Sequence, residues 1–152
     1  MKTLMTCEEV VAMTFSADEQ HNVAMIMETD IMEAESRYLL PILGQELCEA
    51  LAGGAYESLM KEYVKPALAA SVRYVAEPYQ AQRCPACRGE SLTSADKQRL
   101  DLVLLALRRR ARTLMRRLSD HLNAHSADYE EYSAQNNPKN RCMIYGDIVQ
   151  IH

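Results

Sequence analysis

The chain has 152 residues, 48% of them hydrophobic and 25% charged, with a formal net charge of -4. That length fits one domain with a real core, and the composition is ordinarily globular, which excludes a disordered or fibrous chain. The N-terminus lacks the apolar run of a signal peptide, and no stretch of about 18 apolar residues would span a membrane. Five cysteines, scattered at 7, 48, 84, 87 and 142, do not read as a secreted disulfide framework, so a reducing, cytoplasmic setting is expected.

Leu, Ala, Met and Tyr dominate over Trp and Phe, which suits helices. Thr6 and Glu9 form a T-x-x-E capping box ahead of a short helix. "FSADEQHN" reads as a loop or a turn capped by Ser16. From Asn22, Val23, Ile26, Met27, Ile31, Ala34 and Tyr38 fall at helical spacing, and Pro41 is expected to end that helix near Leu39 or Leu40. "GQELCEALA" forms the next helix, with Leu47, Cys48 and Leu51 inward and Gly53-Gly54 as its stop.

A third helix is expected over 56–76, either kinked or split at Pro66. The period is lost over 78–93, the place for a central hairpin or loop. Ser94 is expected to cap the longest helix, about Ala95 to Asn123. Its core stripe is Leu100, Val103, Leu104, Leu107, Ala111, Leu114, Met115, Leu118 and Leu122, while Leu102 and Leu105 off that stripe imply a second buried face. "SADYEEYSA" reads as a short helix capped by Ser126, "QNNPKN" as a polar linker, and "RCMIYGDIVQIH" as a terminal strand that needs a partner. The expected fold is thus mainly α: a bundle of about four to five helices with a central loop and a C-terminal strand, divided into a helical domain 1–135 and a linker and tail 136–152.

Two constellations invite a chemical reading. Cys84 and Cys87 in "RCPACRGES" have the spacing of half a zinc site or of a redox dithiol. His121 and His125, at i and i+4, could complete a four-ligand set, but they lie about 39 Å along the long helix from its start, so closure within one chain is not expected. No βαβ pattern or following helix supports thioredoxin-type chemistry. A tight turn shaped by Pro85 and Gly89 accounts for the segment without chemistry, and a metal shared between subunits stays open.

The second is a charge asymmetry. Residues 1–60 hold eleven acidic against two basic side chains, and residues 95–127 eight basic against three acidic. Six arginines fall between Arg108 and Arg117, of which Arg109, Arg112 and Arg116 share a helix face. A solvated face, or one salt-bridged to the acidic half, is the plain reading. An acidic partner subunit, or nucleic-acid phosphates, are the alternatives. No catalytic signature is present: no G-x-S-x-G, P-loop, H-E-x-x-H or G-x-G-x-x-G. No enzyme, no cofactor and no metal is expected.

A pattern I-x-x-A-x-x-x-Y-L-x-P-x-L-G-x-x-L-x-x-x-L runs through Ile31, Ala34, Tyr38, Leu39, Pro41, Leu43, Gly44, Leu47 and Leu51. Tyr63, Pro66, Ala67 and Leu68 follow in "YVKPALA", and His121, Leu122, Asn123, Tyr129 and Tyr132 close the long helix. Over roughly 22–132 the chain resembles small prophage-encoded proteins similar to the helical head–tail adaptor (connector, or head-completion) proteins of tailed phages. The resemblance implies a non-catalytic helical bundle with a central hairpin. It implies assembly as a homo-oligomeric ring below the portal, extending the DNA channel towards tail-completion proteins without sequence-specific DNA binding and without a membrane. Such a protein is cytoplasmic during assembly and part of the virion if the prophage is functional. An acidic face with Glu28, Glu33 and Glu35 would then meet the next subunit's Arg109, Arg112 and Arg116, and the terminal strand could pair with a neighbour. The two cysteines of "RCPACRGES" depart from that pattern. A small helical nucleic-acid-binding or regulatory protein using Arg108–Arg117 is the alternative.

Overall fold

A computed structural model describes residues 3–16, 25–83, 93–145 and 148–151, with the side chains of Ala81 and of residues 142–151 left aside. The fold is mainly α. Its helices are α1 (Cys7–Thr14), α2 (Glu28–Ala34), α3 (Leu40–Leu43), α4 (Gln45–Ala52), α5 (Glu57–Leu59), α6 (Lys65–Ala76), α7 (Gln80–Arg83) and α8 (Ser94–Ala124). Two short segments follow, β1 (Cys142–Tyr145) and β2 (Ile148–Ile151), paired antiparallel with Cys142 opposite Ile151.

The centre of the bundle is α6. Ala67, Leu68, Ala69, Ala70, Ser71, Val72, Val75 and Ala76 are all buried, so this helix is enclosed on most of its circumference. Small side chains let α1, α2 and α8 approach it closely. Ser71 is satisfied inside the core by donating to the Ala67 carbonyl at 2.9 Å.

Helix starts obey local rules. Thr6 and Glu9 cap α1 reciprocally, with Glu9 N–H on Thr6 Oγ1 at 3.2 Å and Thr6 N–H on Glu9 Oε2 at 3.0 Å. For α8 the cap is Thr93 rather than Ser94: Thr93 accepts from Asp96 N–H at 3.2 Å, and Asp96 accepts from Thr93 N–H at 3.0 Å. Glycine is required at the α3–α4 corner, where Gly44 has φ 81°.

Pro41 does not end its helix as expected. The helix expected from Asn22 begins at Glu28, and residues 17–24 lie outside the described set. It then continues past Pro41 to Leu43. A π-helical turn, Glu35–Leu39, precedes the proline, and Leu40 N–H reaches back five residues to the Glu35 carbonyl. The same device precedes Pro66. Met60–Val64 forms a π-helical turn, and Lys65 N–H bonds the Met60 carbonyl. Widening the turn removes the carbonyl that a proline ring would strike and that its missing N–H could not satisfy. Both turns lie in the pattern Tyr-x-x-Pro: Tyr38 to Pro41 and Tyr63 to Pro66.

Two further readings are corrected. Helix persists through a 3₁₀ turn (Glu77–Tyr79) and α7 as far as Arg83, so it extends into the expected 78–93 loop. Residues 84–92, with Cys84 and Cys87, lie outside the described set. "SADYEEYSA" is one 3₁₀ turn, Ser126–Asp128, followed by turns rather than a helix. The polar stretch after it folds back on α8. Asn137 is fully buried, donating to Ser119 Oγ at 2.8 Å and to Tyr132 Oη at 2.9 Å, while Asn123 and Asn140 exchange side-chain hydrogen bonds of 2.8 Å.

Candidate interaction surface

Helix α8 has two unlike halves. From Ala111 onward, Ala111, Met115, Leu118, Ser119 and Leu122 are buried against the bundle. From Ser94 to Arg110 no side chain is fully buried. Leu100, Val103, Leu104 and Leu107 are only half-covered there, and Leu102 and Leu105 are 69% and 45% exposed. The second face expected to be buried within the chain is open instead. Strong helix formers and the Thr93–Asp96 cap hold this half helical without a tertiary partner on that side among the described residues.

The open face has a regular spacing. Leu102, Leu105, Arg109, Arg112 and Arg116 are separated by three, four, three and four residues, the seam of an a/d heptad. All five side chains are exposed. The ion pairs of the described residues are Arg37–Glu33, Lys61–Glu57, Lys65–Glu9, Arg73–Glu77 and Arg83–Asp30. None involves an arginine between 108 and 117, so none of the described acidic side chains pairs directly with them. Arg117, on another flank, sits over the Tyr63 ring at 5.0 Å from its centroid.

Of the three acids expected on the opposing face, Glu28 and Glu33 are exposed. Glu35 is not; it is 7% exposed and accepts the Leu4 N–H at 2.6 Å. Burial raises its pKa, opposed by that hydrogen bond. Its N–H bonds the Ile31 carbonyl, so Glu35 lies one α-helical turn after Ile31 and shares the buried face of Ile31 and Ala34.

Between α8, α3 and the 3₁₀ turn Pro138–Asn140 lies a groove of about 380 Å³. Arg37, Arg108, Arg112 and Lys139 stand around it, and Tyr38 and Tyr74 line its wall. The two tyrosines meet edge to face with centroids 6.5 Å apart. Only the i, i+4 spacing of Arg108 and Arg112 was legible beforehand; Arg37, Tyr38 and Tyr74 come from two other helices.

The thiols and histidines have local explanations. Cys48 is pushed up to about 11, by burial first and then by Glu35 and Glu49. Burial, with Glu28 and Asp30 nearby, also raises Cys7. Neither is therefore an activated thiolate at neutral pH. His121 is stacked between Tyr63 at 4.0 Å and His125 at 4.4 Å, with Nε2 3.0 Å from Tyr129 Oη. His125 Nδ1 donates to the His121 carbonyl at 3.0 Å. Among the described residues no group of three or more His, Cys, Asp or Glu side chains could hold a metal ion, and no helix is long and apolar enough to cross a membrane.

No curated protein and no solved structure matches the chain. One family model does, over residues 29–78 and 88–142, and its match is interrupted across the segment that contains Cys84 and Cys87. That coverage takes in α2 through α6, all of α8 and the turns that return to it, so the chain belongs to the family of unknown function DUF6712.

Proposed function

We propose that this chain is a non-catalytic structural subunit that assembles through the open face of α8. The observation that carries this reading is the exposed Leu102–Leu105–Arg109–Arg112–Arg116 seam, which starts on the half of α8 that has no fully buried side chain. Each leucine gains roughly 1.5–3 kcal/mol when fully buried, so a partner surface stabilises what the lone chain leaves wet. The three arginines call for an acidic partner. The subunit carries one itself, in a first half with Glu28 and Glu33 exposed. A basic face meeting an acidic face on the next copy is heterologous, and heterologous contacts close into rings.

The resemblance to head–tail adaptors makes the reading specific. It supports a homo-oligomeric ring joining a phage portal to tail-completion proteins, with DNA passing through it, formed in the cytoplasm and carried in the virion. A central hairpin and a C-terminal strand that pairs with a neighbour belong to the same reading.

Light scattering coupled to size-exclusion chromatography, with and without the cognate portal protein, tests it. The expected result is a defined ring, alone or on the portal, that Leu102→Glu with Leu105→Glu abolishes. A strict monomer that never binds portal overturns the proposal.

A further inference from the structure

The groove beside the seam has the chemistry of a site in its own right. Arg37, Arg108, Arg112 and Lys139 approach one concavity from α8, the first π-helical turn and the C-terminal 3₁₀ turn, three elements far apart in sequence. Among the described residues Glu33 meets Arg37 at 3.5 Å, with both side chains more than half exposed. Arg108 and Arg112 have no carboxylate partner among the described residues. The fold therefore places two guanidiniums without a carboxylate partner among the described residues, Arg108 and Arg112, in a cleft of about 380 Å³. That volume lies within the range of roughly 300–1,000 Å³ typical of small-ligand pockets.

We infer that this groove binds a phosphate-bearing ligand. Three of its four cations are guanidiniums, whose planar forks match tetrahedral oxyanions in bidentate fashion. A single carboxylate would answer only one of the two guanidiniums of Arg108 and Arg112, whereas a phosphate ester brings up to two charges and three acceptor oxygens. Tyr38 and Tyr74 add an aromatic wall, suited to a ligand with a flat ring next to its phosphate. The ligand chemistry is the phosphate ester, and it has two sources: a free nucleotide, or the backbone of a nucleic-acid strand. The site does not depend on the assembly reading, because its walls come from one subunit.

Isothermal titration of the purified protein with ATP, inorganic phosphate, oligo(dT) and citrate tests this. Arg108→Gln with Arg112→Gln is compared with Arg99→Gln with Arg110→Gln, which removes the same charge outside both the groove lining and the seam. The expected result is saturable binding of ATP or oligo(dT) that the groove variant weakens about tenfold or more and the control variant changes little. Circular dichroism identifies a misfolded variant, and single Arg37→Gln then serves in its place. ATP binding without a gain for oligo(dT) assigns a free nucleotide. Binding of oligo(dT) alone, with a steep salt slope, assigns a nucleic-acid strand. No binding of any phosphate probe overturns the inference, as does equal weakening by both double variants. Citrate binding as tight as ATP overturns the choice of phosphate.

Discussion

Arg83 holds Asp30 across 53 positions of chain, with Nη2 2.9 Å from Oδ1 and Nη1 on Oδ2. The same guanidinium donates to the Met25 carbonyl at 2.8 Å. Asp30 is 4% exposed and also accepts the Met27 N–H at 2.9 Å, so one carboxylate caps α2 and ties α7 to it. Arg83 is also the first residue of "RCPACRGES". The end of that segment that enters α7 is therefore an anchored structural element.

Removing the carboxylate strands a largely covered guanidinium and a helix cap together. Asp30→Ala is expected to cost about 3 kcal/mol. Asp30→Asn, which keeps an acceptor for Met27 N–H, costs less. Urea unfolding monitored by circular dichroism measures both, and equal stability of all three proteins would show that the pair contributes nothing.

The open half of α8 separates assembly from folding. Leu102→Gln with Leu105→Gln is expected to change monomer stability by no more than about 0.5 kcal/mol, because neither side chain is buried in the subunit. The same variant loses the oligomer in light scattering. A loss of several kcal/mol in the monomer would place these leucines in a core instead.

Without burial, the first half of α8 rests on its cap. Thr93→Ala is expected to cost about 1 kcal/mol. Amide hydrogen exchange should rise over 94–105 and leave Met115 to Leu122 protected, since local opening follows local burial. Uniform acceleration along the helix would contradict the division into halves.

Glu35 gives a pH test with a definite sign. Its folded pKa is raised, first by burial, so the ionised form is disfavoured in the fold. Stability from this group is present below the unfolded carboxylate pKa and is lost as pH rises through the folded value. Glu35→Gln keeps an oxygen for Leu4 N–H and removes the charge. It should therefore raise Tm at pH 7 and leave it unchanged at pH 3. A lower Tm at pH 7 would mean that the charged form is preferred.

His121 has the opposite dependence. Its pKa is lowered, by burial first and then by the neighbouring His125. The neutral ring is the folded form, so its contribution is complete above the unfolded pKa of about 6.5 and is lost as pH falls through the lower folded value. Thermal melts from pH 7.5 down to 5 should show this decline, and His121→Phe should flatten it. An unchanged slope in the variant would assign the decline to other groups.

Several parts of the fold were legible because they depend on residues three or four positions apart. The Thr6–Glu9 box, the inward Leu47 and Leu51 of α4, and the continuous stripe from Ala111 to Leu122 all follow from backbone hydrogen bonding and helical period. Pro41 misled because the general rule assumes an unbroken α-helical turn, and one inserted residue in a π-helical turn suspends it there. At Pro66 the helix expected over 56–76 is present, and its break is a π-helical turn of the same kind. Of the candidate site, the arginine face and exposed Glu28 and Glu33 were readable from charge and spacing, whereas Glu35 was assigned by its charge although it lies four residues after Ile31 on the buried face.

By itself, the sequence determined a mainly helical chain with a capped start at Thr6, a glycine stop at Gly53-Gly54 and a basic face on its longest helix. The tertiary structure alone decided which apolar face stays wet, that Asn137 is buried against Ser119, and that Arg37, Tyr38 and Tyr74 meet Arg108 and Arg112 at one groove. Local hydrogen bonds are set by neighbours in the chain. Burial and charge convergence depend on how distant helices pack, and periodicity marks an apolar face without specifying what covers it.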